Sequence, residues 1–347
     1  MRELYVDTRE GAACFRTISE AVASLPSKNE ELTVIHVAPG IYEERLTIET
    51  PFIVLEGSGA QQTRVTGNLG AYELLEDGTK RGTFRTQTVL VHTHDFTARN
   101  ITFENTAGPG RFAGQAIALY ADGDRLLFEN VDLVGFQDTL FTGPLPLKEL
   151  QPGGFRGPLE HSPRINGRQH YKNCRIFGTV DFIFGSATAY FEDCELISLN
   201  DRKEETAQDP AAESDEQKEA APVLGYVTAP STPQGQKYGY VFRNCAFTGP
   251  DCPDETCYLG RPWRNYARCV LIDCKIGRHI RKEGWHDWGK ERAEETTFFA
   301  EYGCVFEDRD GVFEKRPAEE GTSEGLHLRK YLREDEVCEY TKEKVLG

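Results

Sequence analysis

Residues 170–176 read His-Tyr-Lys-Asn-Cys-Arg-Ile, and residues 190–196 read Tyr-Phe-Glu-Asp-Cys-Glu-Leu. Both follow one pattern: aromatic or aliphatic, any residue, Asn or Asp, often Cys, one more residue, then an apolar one. Outward from this pair the pattern recurs as TARNITF (97–103), LFENVDL (127–133), VFRNCAF (241–247) and VLIDCKI (270–276), with EYGCVF (301–306) as a degraded copy. The intervals are 30, 43, 20, 51, 29 and 30 residues, so the underlying unit is 20 to 30 residues and the two long intervals carry insertions.

Each unit holds short strands of alternating apolar and polar residues, broken by Gly, Asn or Asp. A unit of that size cannot bury its own apolar side, so the units must stack. Strand-built units with no long helical period predict an all-β fold, a parallel β-helix, with the Asn/Asp positions stacked in a ladder at one turn. Cys174, Cys194, Cys245, Cys274 and Cys304 share one register and are expected inside the coil as small apolar side chains. One thiol per coil is a packing column rather than a ligand cluster, and no metal or cofactor is implied. Near the start, Thr17-Ile18-Ser19-Glu20 spells a capping box, and Ile18, Ala21, Val22 and Leu25 form an apolar stripe before Pro26. This predicts a helix that caps the first open end of the coil.

The 347 residues are read as a single domain, 1–347, interrupted by two inserts. Residues 143–166 hold five prolines and four glycines and are expected to be a loop; residues 201–219 hold eight acidic and three basic residues and are expected to be a solvated excursion. Residues 316–347 are read as a tail, of which 333–346 packs back as a short helical element. With 40 basic against 56 acidic residues, the net charge of −16 argues against nucleic-acid binding through a generally basic surface. No stretch approaches the roughly 18 apolar residues of a membrane span. The N-terminus lacks the basic and apolar regions of a secretory signal. Together with ten dispersed cysteines, this leads to the expectation of a cytoplasmic, reducing location, unless a leader has been removed. A monomer is expected.

Two neighbouring units align without a gap: Asn130-Val-Asp-Leu-Val-Gly135-Phe-Gln-Asp138 with Asn173-Cys-Arg-Ile-Phe-Gly178-Thr-Val-Asp181. Equivalent positions on adjacent turns lie about 4.8 Å apart, so the repeat predicts two carboxylates side by side on one face. Like charges that close split their pKa values, leaving one carboxylate and one proton-bearing acid. Either Asp alone suits a turn cap; the pairing points to chemistry.

The blocks GQAIAL (114–119), GFQDTLF (135–141), GTVDFIFG (178–185) and YLGRPW (258–263) resemble the four signature blocks of the pectin methylesterases. FRTISEAV (15–22), HVAPGIYEE (36–44), ARNITFENTAG (98–108), GYVTAPS (225–231), EGWHDW (283–288) and CEYTKEKVLG (338–347) extend the resemblance over nearly the whole chain. The resemblance implies a right-handed parallel β-helix that hydrolyses methyl esters of pectin or oligogalacturonides. It assigns Asp181 as nucleophile, Asp138 as general acid and then base, Gln115 and Gln137 as oxyanion donors, and Arg261 as the partner of Asp181. Trp263 and Trp285 are expected as aromatic platforms for sugar rings, with Phe141 and Phe182 beside the two Asp as further substrate contacts. A β-helix can also bury a Trp purely for packing, which bears on Trp285 and Trp288.

The insert begins five residues after Asp138 and departs from the family pattern. It is expected to emerge beside the cleft and narrow it for short methylated oligomers. Rival readings are a glycosidase or lyase on the same scaffold, a thioesterase, and a non-catalytic carbohydrate-binding β-helix. Two carboxylates at this spacing also suit a retaining glycosidase, but paired amides suit acyl transfer. Gly321-Thr-Ser323-Glu-Gly325 matches the spelling of a serine-esterase elbow, yet EKRPAEE before it is no apolar strand.

Overall fold

The computed structural model describes residues 1–9, 14–202, 222–315 and 328–347. Most of the acidic excursion and the Ser323 motif lie outside the described residues.

The chain winds as a parallel β-helix whose turns feed three sheets, of eleven, ten and seven strands among the described residues. One turn runs Asp124–Glu129, Asp132–Val134, Leu140–Thr142; the next runs Arg168–Lys172, Arg175–Gly178, Val180–Gly185. Leu127 pairs with His170, Leu133 with Ile176 and Leu140 with Ile183, so one 43-residue offset serves all three sheets. Only a stacked coil keeps a constant register around its circumference.

The repeated motif forms the corner between the eleven- and ten-stranded sheets. Asn100, Asn130, Asn173, Asp193, Asn244 and Asp273 all have φ between 51° and 54°. This left-handed region penalises ordinary L-residues by about 1–2 kcal/mol and is tolerated by Asn, Asp and Gly. In the degraded copy Gly303 takes the place at φ 65°, which is why the pattern survives there without its Asn. Two residues before four of these corners an inward aromatic stacks on its neighbour: Phe128 on Tyr171, Tyr171 on Phe191 and Phe191 on Phe242, with centroids 4.9, 4.7 and 4.4 Å apart. One residue after the corner the thiols are buried in register. Cys174, Cys194, Cys245 and Cys274 each direct Sγ to a carbonyl of the preceding coil, on Phe128, Tyr171, Phe191 and Phe242 respectively.

The helix at the start spans Ile18–Ala23 with the expected capping box. Its apolar stripe joins the interior of the first coils, and the Glu44 carboxylate accepts the Ile18 and Ser19 N–H groups, each at 2.9 Å. At the other end the structure departs from the tail reading. Arg329–Tyr331 is the last strand of the eleven-stranded sheet, and only the following helical turns, Glu334–Val337 and Lys342–Leu346, fold back, burying Tyr340 and Val345 against Tyr190, Val241 and Val270. Residues 145–166 contain no strand or helix, yet Leu145, Phe155 and Leu159 are buried in an apolar cluster on the outside of the seven-stranded sheet.

Candidate active site

Extending the Leu140–Ile183 register two residues back sets Asp138 opposite Asp181, one strand spacing of about 4.8 Å away. The Asp138 N–H donates to the Val180 carbonyl at 3.1 Å, fixing the two backbones together. On its far side the strand of Asp181 bulges. Val180 pairs with Tyr226 and Ile183 with Thr228, so Asp181 and Phe182 together oppose Val227. Bulges re-aim side chains beside active sites. Here Asp181 turns to the surface while Phe182 and Ile183, consecutive in sequence, both enter the interior.

Arg261 leaves the end of the strand Cys257–Gly260 and grips Asp181 with two parallel hydrogen bonds, Nε to Oδ1 at 2.8 Å and Nη2 to Oδ2 at 2.7 Å. Its guanidinium is held between two rings, 3.8 Å from the centroid of Tyr226 and 3.7 Å from that of Trp288. Tyr226 in turn stacks on Tyr258 at 5.4 Å. The slot leaves the guanidinium one orientation, and a fork so fixed fits one carboxylate.

Burial raises both carboxyls, but unequally. Asp138 has no hydrogen-bond donor on its side chain among the described residues, and the neighbouring Asp181 charge adds to burial, so its pKa goes well above the usual range. At Asp181 burial is opposed by the two Arg261 hydrogen bonds and by the charges of Arg261 and Lys290. The proton of the pair therefore resides on Asp138 and the charge on Asp181.

Both Asp open into a cleft of about 470 Å³, lined also by Gln115, Gln137, Phe184, Trp263 and Trp288. The two glutamines are half-buried, and among the described residues neither side-chain amide is hydrogen-bonded to protein. An ionised carboxylate, a protonated one and free neutral amides in one cleft are the equipment of nucleophilic acyl transfer.

Three sequence expectations need correction. Phe182 is fully buried: with Asp181 facing the surface, strand alternation turns the next residue into the coil, and the bulge sends Ile183 inward after it. Phe141 faces outward, but it is fully buried beneath Phe84, Tyr120, Phe184 and Trp263; it supports the floor of the cleft without reaching its surface. Trp285 is 2% exposed, stacks on Phe299 at 4.4 Å and donates its indole N–H to Glu301, so it is core and no platform. Trp288 stands in the cleft in its stead. Tyr226 and Phe155 were not singled out from sequence; Tyr226 lies in the block GYVTAPS, the only signal that marked it.

Comparison with known proteins agrees with this geometry. The pectinesterase family profile matches residues 5–144 and 164–309, passing over the insert. Pectinesterase 31 of Arabidopsis thaliana is 33% identical over 304 residues, covering 86% of this chain and 81% of that protein. A pectinesterase of Petunia integrifolia is 33% identical over 302 residues, 84% and 68% of the two chains. Among solved structures, pectin methylesterase PemA from Erwinia chrysanthemi superposes with a TM-score of 0.73 at 28% identity, over 100% of this chain and 97% of that one. The carrot pectin methylesterase gives 0.74 at 26%, over 100% and 93%. The profile spans most of the coil and breaks only where the insert leaves it, so the chain belongs to the pectinesterase family and is a carboxylic ester hydrolase.

Proposed function

We propose that the protein hydrolyses C6 methyl esters of galacturonate, in pectin or its oligomers, to the carboxylate and methanol. The observation that carries the reading is the Arg261-gripped Asp181 beside the proton-bearing Asp138 in an open cleft. A relative in the same fold, similar to this chain with a TM-score of 0.74, is a pectin methylesterase solved with a bound hexasaccharide.

The Asp181 carboxylate attacks the ester carbonyl carbon. The oxygen that becomes negative is met by the Gln115 and Gln137 amides, each such donor being worth about 10²–10³ in rate. The C–O bond to methoxide breaks as Asp138 delivers its proton, releasing methanol and leaving an acyl anhydride on Asp181. Asp138, now a carboxylate, takes a proton from water; the hydroxide adds to the acyl carbon, and the Asp181 carboxylate departs. Arg261 serves both ends of the cycle by favouring Asp181 as an anion.

The test is methanol release from methylated oligogalacturonides by wild type and by Asp181→Ala. Removing a nucleophile costs on the order of 10⁴-fold or more in kcat. A variant as active as its parent ends the mechanism. We also propose a reducing compartment, which the column of Cys174, Cys194, Cys245 and Cys274 buried as thiols inside the coil supports, and a monomer, which the capping helix at one end of the coil favours.

A further inference from the structure

The seven-stranded sheet offers its outer face as a long track. In order along it stand Leu90, Tyr120, Phe141, Phe184 and Ala229, one from each of five successive strands. All five belong to a single buried cluster, and the side chains that bury it from outside include Leu145, Phe155 and Leu159 of the insert. The insert therefore lies across the track. It is seated closely: a Cβ placed on Gly157 would come within 2.3 Å of the Phe84 carbonyl oxygen, so backbone rests on backbone there. Phe155 is wedged edge-on between Phe84 and Trp263, at 5.8 and 6.4 Å. At its far side the insert is tied to the opposite wall of the cleft, where Arg264 Nη2 donates to the Lys148 carbonyl at 3.2 Å.

The insert divides the face into two hollows that share no residue. The catalytic cleft has Glu149, Leu150, Gln151, Gly154 and Phe155 along one wall. The next residues, Arg156 to Glu160, wall a separate hollow over Leu46, Thr47 and Leu90, toward the first coils. A saccharide lying along the sheet through the catalytic cleft meets the Gly154–Phe155 wall and stops. The cleft volume of about 470 Å³ matches pockets that enclose one small ligand.

We propose that the segment 145–163 closes the groove at one end and makes the enzyme specific for esters at or near a chain terminus, so that its substrate is a short methylated oligogalacturonide and not the interior of a polymer. The inference rests on the pectinesterase reading and adds to it the length and position that are accepted. The segment is the stretch the family profile passes over, so the device belongs to this chain rather than to the shared scaffold.

The experiment counts chain ends. Methylated pectin is cut by an endo-acting depolymerase to a series of mean lengths at constant ester concentration, the depolymerase is removed, and methanol release by the wild-type enzyme is measured at each length. A tenfold fall in mean length is expected to raise the rate per ester about tenfold, and release should cease once terminal esters are consumed. A rate per ester independent of length overturns the inference and leaves the esterase standing; no methanol from any member of the series overturns both. Replacing 146–162 with a short Gly-Ser linker reopens the track and is expected to flatten the length dependence. Should that variant not fold, the wild-type series decides alone.

Discussion

Arg261→Lys keeps a positive charge beside the nucleophile and removes everything else the guanidinium does. The native side chain makes two charge-assisted hydrogen bonds to Asp181, at 2.8 and 2.7 Å. A lysine ammonium in the same slot retains one at most, and the lost bond is worth about 1.5–3 kcal/mol. The flat cation also fills the space between Tyr226 and Trp288, 3.8 and 3.7 Å from their centroids. Each such contact contributes roughly 0.5–1 kcal/mol, more when desolvated, and a compact ammonium on a flexible stem does not reproduce the sandwich. With about 3 kcal/mol lost at the nucleophile, kcat falls about 10²-fold. The sign of the accompanying pH effect follows from the same contacts. Burial pushes Asp181 up and Arg261 holds it down, so weakening the grip raises the pKa of the carboxylate that must be ionised. The acidic limb of the kcat profile therefore moves to higher pH, as a property of the dyad rather than of one residue. Methanol release from a methylated hexagalacturonide across the acid-to-neutral range reads both effects, with a thermal melt to confirm folding. A folded variant whose kcat stays within threefold of wild type at every pH would refute the reasoning, because charge alone would then suffice.

Asp138→Asn is expected to abolish turnover and yet stabilise the fold at neutral pH. The folded-state pKa of Asp138 lies well above its unfolded value, so its contribution to stability is fully present below about pH 4 and is lost as pH rises toward and through the folded pKa. Thermal melts should show this substitution raising Tm by roughly 1–3 °C near pH 7 and by nothing near pH 4; a gain that does not vary with pH would contradict the assignment of the proton. At the corner, Asn173→Ala places a Cβ-bearing residue without a compensating side chain at φ 51°, and urea unfolding should show a loss of about 1–2 kcal/mol. Asn173→Gly should lose less than half of that, as Gly303 already does the same work at the last copy.

The fold was legible because one backbone constraint repeats. From Asn100 to Gly303 each turn passes a left-handed corner, and the few residues that tolerate it readily stamp Asn or Asp on the sequence at Asn100 through Asp273. The carboxylate pair was legible for the same reason, since equal offsets from the ladder become equal places in space. What the sequence hid depends on where a strand slips or what lies on top of it. Alternation alone puts Asp181 and Ile183 on one face and Phe182 on the other, and nothing in GTVDFIFG announces the bulge that sends Ile183 inward beside Phe182. Phe141 lies on the outward face, as a substrate contact would, but Trp263, from a distant block, and the Phe155 cluster roof it over. Trp285 and Trp288 are three residues apart on one short stretch. Only the presence of Phe299 as a stacking partner and Glu301 as an acceptor, both brought in by the next coil, decides which ring is core.

The corner chemistry also accounts for why the reacting groups are aspartates. Asp138 and Asp181 have φ of 63° and 51°, in the same region as the ladder residues. Glutamate would supply an equivalent carboxyl with an equivalent pKa, but its longer side chain lacks the local backbone hydrogen bonding that lets Asn and Asp occupy this conformation. A strand position that favours Gly, Asn or Asp thus makes aspartate the readier carboxyl, though Glu255 shows at φ 55° that glutamate can enter this region, and parallel stacking sets the next coil's carboxyl about 4.8 Å away without any further adjustment. That distance is too short for two buried charges. Repulsion and burial put a proton on one of the two, and Arg261, delivered from a strand two rungs on and locked between Tyr226 and Trp288, decides which by holding Asp181 as the anion. The repeat makes the pair; Arg261, which is no part of the repeat, makes it an acid and a nucleophile.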